Sequence, residues 1–129
     1  MTLRAVKTSA APGAVASYSQ AIDAGSFVFL AGQIGLDPQS GHLVEGGIDA
    51  EAERALRNVI AVLDAAGLSI ADVVKTTCFL ADINDFAAFN SVYARFVGDP
   101  PPARSTFAVA ALPRGARVEI EAIAARPTD

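Results

Sequence analysis

Tryptophan is absent from this 129-residue chain, and cysteine, histidine and methionine occur once each. One cysteine excludes a disulfide within the chain. A lone cysteine beside a lone histidine leaves too few soft ligands for a zinc site, so no metal is expected. Basic residues are also scarce: 10 against 14 acidic ones, for a net charge of −4, and they do not cluster. Neutralising phosphates takes a basic stripe, so nucleic acid is not an expected partner. No uninterrupted apolar run approaches the roughly 20 residues that a membrane helix needs. The N-terminal residues lack the apolar core of a signal peptide. The expectation is a cytoplasmic protein without membrane association, with residues 1–129 forming one domain.

What the chain does have is clear apolar periodicity. Leu3 to Lys7 suits a short edge strand, and Ser17 to Ile22 a second one. Asp23 to Ser26 has hairpin-turn chemistry. Phe27 to Ile34 is the clearest strand; both of its faces are apolar, so both should be buried. His42 falls in a loop from Leu36 to Gly47 and reads as a solvent residue. Asp49 can cap a helix from Ala50 to Ala66, whose Leu56, Val59, Ile60 and Leu63 recur at helical spacing. Asp72 to Ala81 is rich in β-branched residues and reads as a strand, with Cys78 a small buried hydrophobe sharing a face with Val74 and Leu80. Asn84 or Asp85 can cap a second helix carrying Phe86, Phe89, Val92, Tyr93 and Phe96, and Tyr93 reads as core.

The last third combines rigid prolines, a strand opening at Arg104, a Leu112-Pro113-Arg114-Gly115 turn and a strand from Arg117 to Ala125. Val118, Ile120, Ala122 and Ala124 face one way; Glu119, Glu121 and Ile123 face the other. Carboxylates on such a strand either meet solvent or line a polar cleft, because burying an unpaired charge is costly. If these two strands pair directly, Glu119 lies opposite about residue 109, and Arg104 is about 16 Å further along. The two charges then share a site only if another strand intervenes or if the site forms between chains.

Strand–helix–strand order places both helices on one face of a single mixed sheet, provided the flanking strands are parallel. The other face would be left bare although it carries large apolar residues. Such a face asks for a partner, and a second copy of the chain is the expected one.

Seven short stretches carry a resemblance. They are Tyr18-Ser19-Gln20-Ala21, Leu30-Ala31-Gly32-Gln33-Ile34, Ala65-Ala66-Gly67-Leu68, Val74-Lys75-Thr76-Thr77, Asn84-Asp85-Phe86, Pro102-Ala103-Arg104-Ser105 and Val118-Glu119-Ile120-Glu121-Ala122-Ile123-Ala124. In this order, over nearly the whole length, they resemble the RidA (YjgF) family of reactive-intermediate imine deaminases. The resemblance implies an α+β, chorismate-mutase-like subunit: a single mixed sheet with two helices on one face, assembled as a homotrimer with sites between subunits. It implies hydrolysis of 2-imino acids or their enamine tautomers to 2-oxo acids and ammonia, with no cofactor. Arg104 matches the arginine that grips the substrate carboxylate and Glu119 the glutamate that handles water. Tyr18, Gly32 and Asn90 match pocket positions. Thr106 stands where the family often has a pocket cysteine, Ala31 where it often has serine, and Ala16-Ser17 where Gly-Pro is common. These departures bear on substrate preference.

The residue types suit that chemistry. Arginine's planar fork pairs both oxygens of a carboxylate, which lysine's point charge does not. A glutamate can orient water, take its proton and return one to the departing nitrogen. Burial would raise its pKa and a nearby arginine would lower it. Two other readings stand beside this one: a non-catalytic module that binds carboxylate metabolites and signals, and an RNA-directed protein, which the acidic balance disfavours.

Overall fold

A computed structural model describes residues 2–128 of the chain. Six strands form one sheet, crossed on one face by two helices. The strands are β1 (Arg4–Val6), β2 (Ala21–Asp23), β3 (Phe27–Ile34), β4 (Val73–Leu80), β5 (Ala103–Ala108) and β6 (Val118–Ala125). The helices are α1 (Gly47–Ala65), between β3 and β4, and α2 (Phe86–Phe96), between β4 and β5. The strand order is β1-β2-β3-β6-β4-β5. β4 and β5 are parallel and every other neighbouring pair is antiparallel. The expected mixed α+β sheet is therefore present, and β3, β4 and β5 all run the same way.

The core lies between the sheet and α1. Leu56, Val59 and Leu63 descend from the helix onto Val28, Leu80, Val118 and Ile120 of the sheet, all fully or almost fully buried. Each large side chain so buried contributes about 1.5–3 kcal/mol. The face of β6 predicted from alternation is the one that packs here.

Several expectations need correcting. β5 and β6 do not form a hairpin: β4 runs between them, parallel to β5 and antiparallel to β6. The turn chemistry is real, since Arg114 (φ 62°) and Gly115 (φ 70°) reverse the chain, but the loop crosses over β4 instead of joining neighbours. β2 is shorter than predicted and begins at Ala21; Asp23 closes it, accepting from the Gly25 amide and from Arg4 and Arg126. Asp49 lies inside the first turn of α1; the N-cap is Gly46 at φ 119°, without a side-chain bond. Neither Asn84 nor Asp85 caps α2 through its side chain; Asp82 accepts the Asn84 amide in the 3₁₀ turn before it. A bulge at Val74 throws its side chain to the solvent side, so it does not share the buried face of Cys78 and Leu80.

The face of the sheet away from the helices is open. Phe27 and Phe29 are each 46% exposed, so one face of β3 is not buried within the chain. Phe107 is comparably exposed, and Phe79 packs edge-on against it at 5.3 Å.

Candidate active site

Five of the six predicted site residues fall into two groups. Tyr18, Gly32 and Glu119 line one cavity of about 560 Å³, walled also by Val15, Leu36, Pro38, Pro113 and Arg114. Asn90 and Arg104 line a second, of about 410 Å³, walled by Tyr93, Val97, Pro101 and Pro102. Thr106 lines neither. It lies on the helix side of β5 beside Cys78, and its hydroxyl oxygen is buried without a hydrogen-bond partner among the described residues.

Glu119 alternates with the buried Val118 and Ile120, so its carboxylate projects from the open face. Arg104 pairs in register with Thr76 and reaches toward α2, on the helix face. Phe79 is the β4 residue opposite Glu119, three positions beyond Thr76. The intervening strand thus exists, yet it does not unite the two charges. They are offset by about 10 Å along β4 at ordinary strand rise and project to opposite sides of the sheet.

Gly32 is what lets Glu119 lie flat. A Cβ at Gly32 would come within 2.8 Å of the Glu119 carboxyl carbon and 2.9 Å of its Cγ, closer than real Cβ atoms approach. Glycine therefore admits the carboxylate against the β3 backbone, where any side chain would displace it. Among the described residues no cation lies within 4.0 Å of Glu119, and none of them donates a hydrogen bond to it. Partial burial pushes its pKa up, and the like charge of Glu121 on the same face pushes it further. Within one chain burial wins, since Arg104 is on the other side.

Arg104 is half-buried. Its Nη1 donates to Asn90 Oδ1 at 2.7 Å, and no carboxylate lies within 4.0 Å of it among the described residues. The guanidinium keeps its other N–H groups for a ligand, a fork shaped for a carboxylate. Cys78, between the two groups on β4, is fully buried, and burial raises its thiol to about 11, which disfavours the nucleophilic thiolate.

Three buried polar residues hold these walls and escaped the sequence reading. Gln20 Nε2 donates to the carbonyls of Thr8 (3.1 Å) and Pro12 (2.8 Å), and its Oε1 accepts from Thr8 N, pinning the loop beside Tyr18. Glu51, buried on α1, accepts the Arg117 amide at 2.9 Å and so fixes the start of the Glu119 strand. Asn58 donates to the carbonyls of Ile34 and Leu36, fastening the end of β3. For Glu51 and Asn58, a polar residue at a buried helix position was the available signal. The site loop at Arg114 is braced similarly: Nη2 donates to Gly41 O at 3.0 Å.

A family model described as endoribonuclease L-PSP matches residues 8–126. The chain belongs to this family, RidA (YjgF). A human RidA-family relative, named 2-iminobutanoate/2-iminopropanoate deaminase, is 50% identical over 121 residues, covering 94% of this chain and 88% of its own length. The crystal structure of RidA from an Antarctic Psychrobacter superposes with a TM-score of 0.92 at 44% identity, covering 95% of this chain and 99% of the other. Escherichia coli TdcF, solved with bound serine, superposes with a TM-score of 0.91 at 43% identity, covering 96% and 99%.

Proposed function

We propose that this RidA-family chain is a hydrolytic deaminase. It converts reactive 2-imino acids and enamines, such as 2-iminobutanoate and 2-aminoacrylate, to 2-oxo acids and ammonia. The observation that carries this reading is the pair of half-sites: a carboxylate with raised proton affinity in one cavity, and a carboxylate-free arginine in another. The name of the human relative gives the reaction class, and the serine held by TdcF is consistent with a small carboxylate ligand.

In the proposed mechanism Arg104, steadied by Asn90, binds the substrate carboxylate. Charge-assisted bonds of this kind contribute on the order of 1.5–3 kcal/mol. Glu119 orients a water and takes one of its protons as the oxygen bonds to C2 of the protonated imine. The C=N π pair moves to nitrogen and leaves a neutral amine. Glu119 returns its proton to that amine, then takes the C2 hydroxyl proton as the C–N bond breaks, ammonia leaves and the C=O forms; the ammonia carries this last proton away as ammonium. Tyr18 closes the pocket with its ring, and Gly32 offers its backbone. Thr106 shapes the arginine side from behind. The chemistry calls for no metal or cofactor.

Arg104 and Glu119 reach one substrate only if two chains contribute them. The open face of Phe27, Phe29 and Phe107 is the surface by which copies associate, and a homotrimer is the assembly we infer. Residues 1–129 act as one domain of it, and a lone buried thiol favours the reducing cytoplasm. No helix is long and apolar enough to cross a membrane among the described residues.

The test generates 2-iminobutanoate in situ with an amino-acid dehydratase or oxidase and follows its decay. Wild-type protein should accelerate the loss, and Arg104→Ala should abolish the acceleration; an equal rate in the variant refutes the assignment. A non-catalytic carboxylate sensor is the second reading, motivated by Thr106, Ala31 and Ser17. It predicts saturable 2-oxo acid binding with no effect on imine decay. Despite the family model's description, the net charge of −4 gives RNA little to hold. Salt-sensitive binding to single-stranded RNA would favour that third reading instead.

A further inference from the structure

Arg104 rests on a bed of aromatic rings. Its Cζ lies 4.7 Å from the ring centroid of Tyr93, 5.4 Å from Phe86 and 6.0 Å from Phe89, all on α2. The nearest ring is tethered. Tyr93 OH and Thr76 Oγ1 are 2.7 Å apart and buried. Thr76 is also the residue of β4 paired in register with Arg104. A closed circuit results: the β4–β5 backbone joins Arg104 to Thr76, Thr76 holds the Tyr93 hydroxyl, and the Tyr93 ring meets the guanidinium. Asn90, one turn before Tyr93, closes the same group from its edge.

We propose that Tyr93 is a positioning residue for carboxylate recognition: anchored by Thr76, its ring sets the plane of the Arg104 guanidinium and the direction of the N–H groups left for substrate. This rests on the role given to Arg104 above and adds to it a device on α2 that acts through the guanidinium. An arginine side chain otherwise loses much rotamer freedom on gripping a ligand, and a ring face with one fixed hydrogen bond removes most of that loss beforehand. Cation–π attraction supplies the contact and leaves the N–H edges unoccupied, as a carboxylate partner would not. Burial raises the Tyr93 pKa, so the phenol stays neutral and offers Arg104 a face instead of a counter-ion. Arrangement by a bed of this kind acts equally on substrate and transition state, so it governs binding more than turnover.

The experiment uses the assembled full-length protein. KM and kcat are measured for 2-iminobutanoate, and calorimetry gives Kd for the unreactive product 2-oxobutanoate. Tyr93→Phe keeps the ring and loses the tether; KM and Kd should rise roughly three- to tenfold with kcat nearly unchanged. Thr76→Val should do the same. The double variant should bind no worse than either single one, because both break one bond. Tyr93→Leu, which removes the ring, should bind more weakly than all of them. Wild-type affinity in Tyr93→Phe, additive losses in the double variant, or a fall in kcat at constant KM would overturn the proposal. A purely structural role would lower the melting temperature of the variants and leave Kd of the folded protein unmoved. Wild-type acceleration with an unaltered Tyr93→Phe defeats this inference alone. The predicted Kd pattern without acceleration by wild type supports it and defeats the deaminase reading; no 2-oxobutanoate binding by wild type defeats both.

Discussion

Glu119 lies directly over Gly32, so close that a Cβ there would stand 2.8 Å from the carboxyl carbon. Gly32→Ala should therefore push the carboxylate out of its seat while leaving undisturbed the β3 backbone, which takes no left-handed φ at Gly32. A shift of about 1 Å in a catalytic group costs roughly 100-fold in rate, and we expect kcat/KM to fall by about that much. The melting temperature should stay close to wild type, because the clash falls on the end of a flexible side chain. Steady-state kinetics and thermal melts on the same preparation check both statements.

Under the proposed mechanism, opposite placement of Arg104 and Glu119 across the sheet predicts that two inactive variants complement each other. Arg104→Ala and Glu119→Gln should each be inactive as pure assemblies. After subunit exchange at equal concentration, sites that draw Arg104 from one variant and Glu119 from the other should recover roughly one quarter of wild-type activity, if each site joins two neighbouring chains. Zero recovery after demonstrated exchange would mean that one chain supplies both groups.

Glu119 has a raised pKa, so the rate should fall on the acidic side as its carboxylate takes up a proton. Glu121 contributes to that elevation. Glu121→Gln should move the acidic limb of the pH–rate profile to lower pH. The same elevation bears on stability. A folded pKa above the ordinary 4.5 favours the fold below that value, and the contribution disappears as pH rises through the folded pKa. Glu119→Gln should thus melt higher than wild type near neutral pH and lose that advantage below 4.5.

Asp23 has the opposite sign. The Gly25 amide, then Arg126 and Arg4, hold its pKa below the ordinary 3.8. Its stabilisation is present above 3.8 and is lost as pH falls through the lowered value. Asp23→Asn should melt lower than wild type at neutral pH, and the two curves should converge in acid.

Local periodicity exposed much of this architecture. The stripe of α1 and the alternation of β6 each identified the face that is buried, because one packed face imposes its period on the residues. Strand order was not legible. Pro113, Arg114 and Gly115 reverse the chain as a hairpin turn would, and turn chemistry carries no information about which distant strand fills the gap. The bulge at Val74 was equally hidden, since one irregular residue inverts the phase of what precedes it. At the site, Glu119 stood out as a charge on an apolar strand and Arg104 through the family resemblance, but their separation to opposite faces depends on strand pairings far apart in sequence. Tyr93 was legible only as core: the spacing that buries a helix face also assembled the aromatic bed beneath Arg104.

The sheet keeps its centre for last. β6, sixth in chain order, fits between β3 and β4 and pairs with both. As the chain emerges from a ribosome, β1 to β3 and β4 with β5 can only form two half-sheets, each with a bare hydrogen-bonding edge. Residues 118–125 zip these together, and they also bring Glu119 to Gly32. A nascent chain halted before Val118 would thus offer two sticky flanks to its surroundings, and the Glu119 carboxylate would arrive in the same event that seals them.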